Sequence, residues 1–399
     1  MRELLYDDYR IFGCGLESLV SFAREFDQTS RTVLLDFSEA TIYSMLPGKD
    51  DFAAVFNPGG QLRVKRESRR ESGPPFSLEG PDVVRSNVTT LLREGYLGLA
   101  KELRNSPKYH GTYFRIKNSF WYTSNACAKT LAQRFEVNTK SCLERDMFLG
   151  YNISNYGKHK FWVTSRKDGN VNKIIGFFSK KPSVISVSEL VRRLLTNSDI
   201  TVHQWEFSQI DGLTIMFDVN SVLRDIGEVN GMVPCLVLQY CDSGHALSCI
   251  KCAWRPKENF QTHISFMAFG KEHKTEDEYQ KWGLWYDEAV KYLKQTAMSM
   301  INSGTIPAGS KDELLENIYK MVGRSGVMKK LSRENIMELE NGIRAYVELK
   351  IYSGSEKIRV GDIQSLLLYL LAKIAHNSPD YTAKMLMEDY GDKVIDNML

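Results

Sequence analysis

The stretch from Lys173 to Trp254 restricts the fold more than any other part of the chain. It reads as a strand over 173–179, a helix over 185–197, then four apolar strands over 200–209, 213–219, 232–241 and 245–254. Ser186 followed by Glu189 predicts a capping box, in which each side chain satisfies a backbone donor of the first helical turn. Asp211-Gly212 lies between two alternating apolar runs and favours a two-residue hairpin turn, because both positions of such a turn need φ > 0. Asp242-Ser243-Gly244 does the same further on. The block therefore predicts a mostly antiparallel, meandering sheet with one crossing helix, and it carries no enzyme signature.

The flanks complete an α+β chain with a C-terminal helical region. Leu16 to Phe26 has helical spacing, 32–37 reads as a buried strand, and 83–103 predicts a helix. The capping pairs Thr275 with Glu278 and Ser310 with Glu313 each open an apolar-periodic helix. Helices are also expected over 335–349, 363–375 and 382–387. Leu366 to Leu371 is apolar nearly all round, so that helix should be enclosed in a bundle or against another subunit. The expected division is an N-terminal α/β region over 1–107, a β-rich core over 108–273 and a helical region over 274–399.

Net charge is only +3, but it is unevenly spread. Residues 101–181 hold sixteen Lys and Arg against five acids, a net +11, which leaves −8 for the other 318 residues. Such asymmetry points to a polyanion-facing region. Within it, a basic approach followed by Phe-Trp-x-Thr-Ser occurs twice, at Phe120-Trp121 and at Phe161-Trp162. Alternation in each copy favours strands with one aromatic of the pair facing out. Cations neutralise phosphates and exposed rings stack on bases, so the expected ligand is single-stranded nucleic acid. The candidate contacts are Lys108, Tyr113, Arg115, Lys117, Trp121, Lys158, Lys160, Trp162, Arg166 and Lys167. An exposed arm over 61–75 would add Arg63, Lys65, Arg66, Arg69 and Arg70. The alternatives are that the rings are core residues flanked by solubilising cations, and that the arm is a solvated linker.

The order of pieces in the central block also resembles the phage/plasmid-like protein family, a group of domains of unknown function. The likeness is carried by the Gly176 strand, the helix ending Leu194-Leu195, the strand 213–219, and the run from Gly231 to Leu238 leading into Asp242-Ser243-Gly244-His245-Ala246-Leu247-Ser248. It covers about 80 of the 399 residues. The family's aromatic-Arg and Cys-Asn-Gly segment is not intact; Lys251-Cys252-Ala253-Trp254-Arg255 stands in its place. The resemblance implies a phage or plasmid context and no mechanism.

Cys235, Cys241, His245, Cys249 and Cys252 raise the question of zinc. Their spacing fits no structural zinc pattern, and Cys249 and Cys252 on one strand point to opposite faces, so packed thiols are expected. Seven cysteines without a disulfide framework fit a reducing compartment. No phosphate loop, dinucleotide fingerprint or nucleophile elbow is present. No run approaches the ~20 apolar residues of a membrane span, and the acidic start is unlike a secretory signal. The sequence thus reads as a non-enzymatic cytoplasmic protein without cofactor or metal, with a metal-dependent enzyme on nucleotides or DNA left open as a third reading that no motif carries. The competing reading is an assembly module that engages a host protein or its own copies through helix 363–375 and the Trp282/Trp285 pair.

Overall fold

The computed structural model describes residues 10–45, 112–137, 145–150, 159–182, 186–270, 282–378 and 391–395 apart from gaps of at most five residues, and the backbone alone of four strands between 51 and 87. The strands are β1 (Arg10–Cys14), β2 (Ser30–Asp36), β3 (Thr41–Met45), β4 (Asp51–Phe56), β5 (Arg63–Arg66), β6 (Phe76–Glu79), β7 (Val84–Asn87), β8 (Thr112–Ile116) and β9 (Ser119–Thr123). They continue with β10 (Lys160–Asp168), β11 (Val171–Phe178), β12 (Ile200–Ser208), β13 (Gly212–Val219), β14 (Met232–Tyr240), β15 (Cys249–Pro256), β16 (Ile264–Phe269) and the short pair β17 (Thr305–Pro307) and β18 (Lys357–Arg359). The helices are α1 (Gly15–Thr29), α2 (Asn125–Arg134), α3 (Val187–Leu195), α4 (Asn220–Ile226), α5 (Trp282–Ile301), α6 (Lys311–Ser325), α7 (Arg333–Tyr352), α8 (Val360–Asn377) and α9 (Gly391–Ile395). The chain is α+β.

Two large sheets organise it. The first is antiparallel throughout, in the order β1-β12-β13-β14-β15-β16. The second runs β2-β10-β11-β9-β8-β3-β4-β7, and its one parallel pairing joins β9 to β11. The meander expected of the central block is present in β12 to β15, but the strand at Lys173 lies elsewhere, in the second sheet. Gly212 takes φ +80° at the hairpin, and a Cβ there would strike the Tyr240 carbonyl of the next strand. A side chain is excluded by strain and contact together.

The helical region folds back on the first sheet. Leu293 and Ala297 of α5, Leu314 and Ile318 of α6, Leu339 and Ile343 of α7, and Leu367 and Leu371 of α8 share one core with Leu236, Cys252 and Trp254 of the sheet. The apolar α8 is thus enclosed within its own chain. Trp282 is buried, and Trp285 packs beside it with its ring against Gly270. Among the described residues no helix is long and apolar enough to cross a membrane.

Local signals account for three helix starts, whereas the helices at Gly15, Asn220 and Val360 begin without a side-chain cap from the preceding residue. The Ser186 and Ser310 hydroxyls accept from the Glu189 and Glu313 amides, and Ser332 accepts from Asn335 to open α7. Thr275 and the segment 382–387 lie outside the described residues. The helix expected over 83–103 is replaced at its start by β7, which pairs with β4; residues 88–103 lie outside the described residues.

The two sheets meet at α1. This helix leaves β1 at the edge of the first sheet and delivers β2 to the edge of the second. Phe22 stacks on Trp205 of β12, and Phe22 and Phe26 pack against Phe207 at a tilt and edge-on. Asp27 reaches α3, accepting from the Val187 and Ser188 amides at 2.8 Å each. A buried ion pair completes the junction: Arg166 Nη2 of β10 donates to both Asp242 carboxylate oxygens, at 2.8 and 2.6 Å.

Candidate nucleic-acid interface

The two Phe-Trp copies fold in opposite phase. In β9, Trp121 points inward, only 8% exposed, into the core formed with Phe114, Leu131 of α2 and Val163. In β10, Phe161 takes the inward place and Trp162 faces out, half-buried. Strand alternation cannot choose between these phases, because a shift of one residue exchanges the faces of every side chain. The parallel β9–β11 pairing also separates the copies. Trp121 lies opposite Asn172 at one end of β11, whereas Trp162 lies opposite Phe178 at the other.

Several expected contacts are corrected by this arrangement. Tyr113 is 2% exposed and its ring packs on that of Tyr122, so neither Tyr113 nor Trp121 offers a ring to a base. Arg166 is 2% exposed, and its guanidinium lies 4.0 Å from the centroid of the Phe26 ring, held there by Asp242. It belongs to the contact between the two sheets rather than to an open basic surface. Arg115 and Lys117 are exposed, but Arg115 pairs across from Phe120, at the end of the sheet away from Trp162. Lys167 is half-buried, on the face opposite Arg166. One continuous basic and aromatic face is therefore not formed by the described residues. Lys108, Lys158, Arg69 and Arg70 lie outside the described residues; Arg63, Lys65 and Arg66 are in β5, paired with β6.

A smaller platform does form. Leu34, Trp162 and Phe178 are direct partners across β2, β10 and β11. Leu34 is 46% exposed, and Trp162 and Phe178 are half-buried, so a flat apolar strip reaches the surface at the edge of the sheet. Cations surround it. Lys181 Nζ stands 5.7 Å from the Trp162 ring centroid, and Lys160 and Lys180 are exposed beyond the strip. Lys160 is 3.8 Å from Asp36, whose carboxyl is held below its ordinary pKa mainly by hydrogen bonds from the Ser38 amide and hydroxyl. The pair is largely solvent-exposed, so it is weak and easily exchanged for another anion. Leu34, Phe178, Lys180 and Lys181 were not expected from the sequence. Only the register of three strands brings them together, and no local pattern encodes that register.

The cysteine cluster divides between faces. Cys235 packs with Met216, Val237 and Ala253 on one side of the first sheet, and Cys252 faces α5 on the other, its thiol 3.3 Å from the Ala289 carbonyl oxygen. Burial pushes both thiols well above the ordinary cysteine range, so they are protonated and poor metal ligands. His245 lies outside the described residues. Among the described residues no cluster of three metal-ligating side chains occurs.

The fold and the platform together define an α+β protein of two joined sheets with an aromatic, cation-flanked strip at one sheet edge. Comparison with protein-family models, curated proteins and solved structures finds no match to this chain.

Proposed function

We propose that this chain is a phage or plasmid protein that binds single-stranded nucleic acid without transforming it, through the Leu34–Trp162–Phe178 strip. The observation that carries the reading is the outward Trp162 ring, flanked on both neighbouring strands by apolar side chains and bordered by Lys160, Lys180 and Lys181. An open ring accepts any base by stacking, and flexible lysines follow a phosphate backbone without reading sequence. The net +11 of residues 101–181 supports the same ligand, since it favours approach of a polyanion. The phage or plasmid context rests on the likeness of the central block to that family.

The test is the anisotropy of a labelled oligothymidylate titrated with the full chain. Stacking contributes about 1–3 kcal/mol per base, so Trp162→Ala should weaken binding about 5- to 150-fold. Three lysine contacts imply a slope of about −2 in log affinity against log salt. Affinity equal at low and high salt, or unchanged in Trp162→Ala, would refute the reading.

A further inference from the structure

A cavity of about 230 Å³ opens where α7 and α8 meet strand ends of the first sheet, and it shares no residue with the Trp162 strip. The Asn230-Gly231 turn, closed by pairing of Val229 with Met232, forms one wall; its φ values of +49° and +78° suit asparagine and glycine. The turn sets Asn230 against α8, where its side-chain amide donates to Asp362 Oδ1 at 2.6 Å. Along α8, Asp362, Leu366 and Tyr369 stand at i, i+4 and i+7 and so share one face. Tyr346 of α7 adds a second ring, and Lys257 and Glu258, just past β15, complete the lining.

The wall is largely aliphatic and aromatic, and its open polar atoms are carboxylate oxygens. Asp362 Oδ2 has no hydrogen-bond partner among the described residues, and the side chain keeps 16% of its surface exposed. Glu258 is exposed; its Oε2 accepts from the Tyr369 hydroxyl at 3.0 Å, which leaves Oε1 open. The cations nearby are engaged or turned away. Glu228 holds Lys257 at 2.7 Å, and Arg359 is 3.9 Å from Asp362, beyond hydrogen-bond reach, with its side chain 53% exposed. The lining and its ionic partners thus set three carboxylates against two cations. Lys350 stands outside the lining, 5.4 Å from the Tyr346 ring centroid, so the ring left for a ligand is the half-buried Tyr369.

We propose that this cavity binds an alkylguanidinium, free or as an arginine side chain, with its head at Asp362 and its stem along Leu366 and the Tyr369 ring. Asp362 to Tyr369 spans about 10 Å along α8, room for the head and a stem of a few carbons. The apolar wall selects guanidinium over ammonium, because the planar ion is more weakly hydrated and gives up less on entering. Glu258 attracts the cation at the rim.

The experiment measures dissociation constants on the full chain by ligand line broadening in NMR, at constant ionic strength. The probe is butylguanidinium, and the comparators are butylurea, its neutral planar counterpart, and butylammonium. A hydrogen bond to a charged group implies binding at least about tenfold tighter for butylguanidinium than for butylurea, and a loss of similar size in Asp362→Asn. Glu258→Gln, at the exposed rim, should weaken it about 2- to 5-fold and keeps the test decisive if Asp362→Asn does not fold. Glu189→Gln, in an ion pair on α3, should leave it unchanged. Equal affinity for butylguanidinium and butylurea, or no effect of either cavity variant, would overturn the proposal; equal affinity for butylammonium would overturn its choice of guanidinium. Nα-acetylarginine methylamide binding as tightly as butylguanidinium would assign the site to an arginine side chain, and tenfold weaker binding would assign it to a free molecule. None of these outcomes bears on Trp162, so the two readings fail separately.

Discussion

Arg255 and Asp218 form a second buried ion pair, on the face of the first sheet away from the helices, with donor distances of 2.9 Å from Nε and 2.7 Å from Nη2. Removing one partner leaves an uncompensated charge inside the protein. Arg255→Met is therefore expected to cost about 3–5 kcal/mol, read from the urea midpoint, and Arg255→Met with Asp218→Leu should cost clearly less. Equal losses in the single and double variants would mean that the packing of the side chains, and not the stranded carboxylate, sets the penalty. Beside this pair sits His203, the extra residue of a bulge in β12. Partial burial first, and then the Arg255 charge, holds its imidazole below the ordinary histidine pKa. The unfolded chain accordingly takes up a proton before the folded one does. Stability should fall as pH drops through about 6.5 and stop falling from this source below the folded pKa. His203→Gln should flatten the urea-midpoint profile between pH 7.5 and 5, and an identical profile would exclude His203 as the titrating group.

At the scale of elements, helix ends are where local sequence and tertiary contact can be separated. The Ser186 cap of α3 is written within four residues and could be read directly. Its companion Asp27, which satisfies the Val187 and Ser188 amides, lies 160 residues away and carries no local signal. Asp27→Ala is expected to cost about 1–2 kcal/mol through these amides and the helix dipole. The loss should appear as faster hydrogen exchange at Val187 and Ser188, and unaltered exchange there would show that Ser186 alone holds the helix start. At α8, a Cβ on Gly361 would fall on the Met300 carbonyl oxygen at the end of α5, while the Gly361 amide donates to Ser303 Oγ at 2.7 Å. Gly361→Ala should destabilise the chain by about 1–3 kcal/mol despite the better helix propensity of alanine. The pairing of the second sheet was illegible for the same reason as Asp27. Phe-Trp-x-Thr-Ser announces a strand twice, but only contacts between distant segments decide that Trp121 turns inward and Trp162 outward. The strand at Lys173 likewise shows a buried run without showing which sheet receives it, and Arg166 shows a cation without showing that Asp242, 76 residues on, will bury it.

For the whole molecule, the question is whether the two sheets act as one body. Helix α1 supplies the answer physically, since Phe26 touches Phe22 and Phe207 on the side of the first sheet and the Arg166 guanidinium on the side of the second. Asp27 on the next position holds α3, and the Arg166–Asp242 pair spans the same junction. These contacts join the region that carries the Trp162 strip to the helix-backed sheet. Phe26→Ala should then do more than open a local hole. A buried Phe-to-Ala change costs about 3–5 kcal/mol. Coupling predicts that the loss is shared: exchange should accelerate in β2 and β10 as well as in β12 and β13, within one denaturation transition. Two separated transitions, or faster exchange confined to β12 and β13, would show that the sheets fold independently and that α1 merely tethers them.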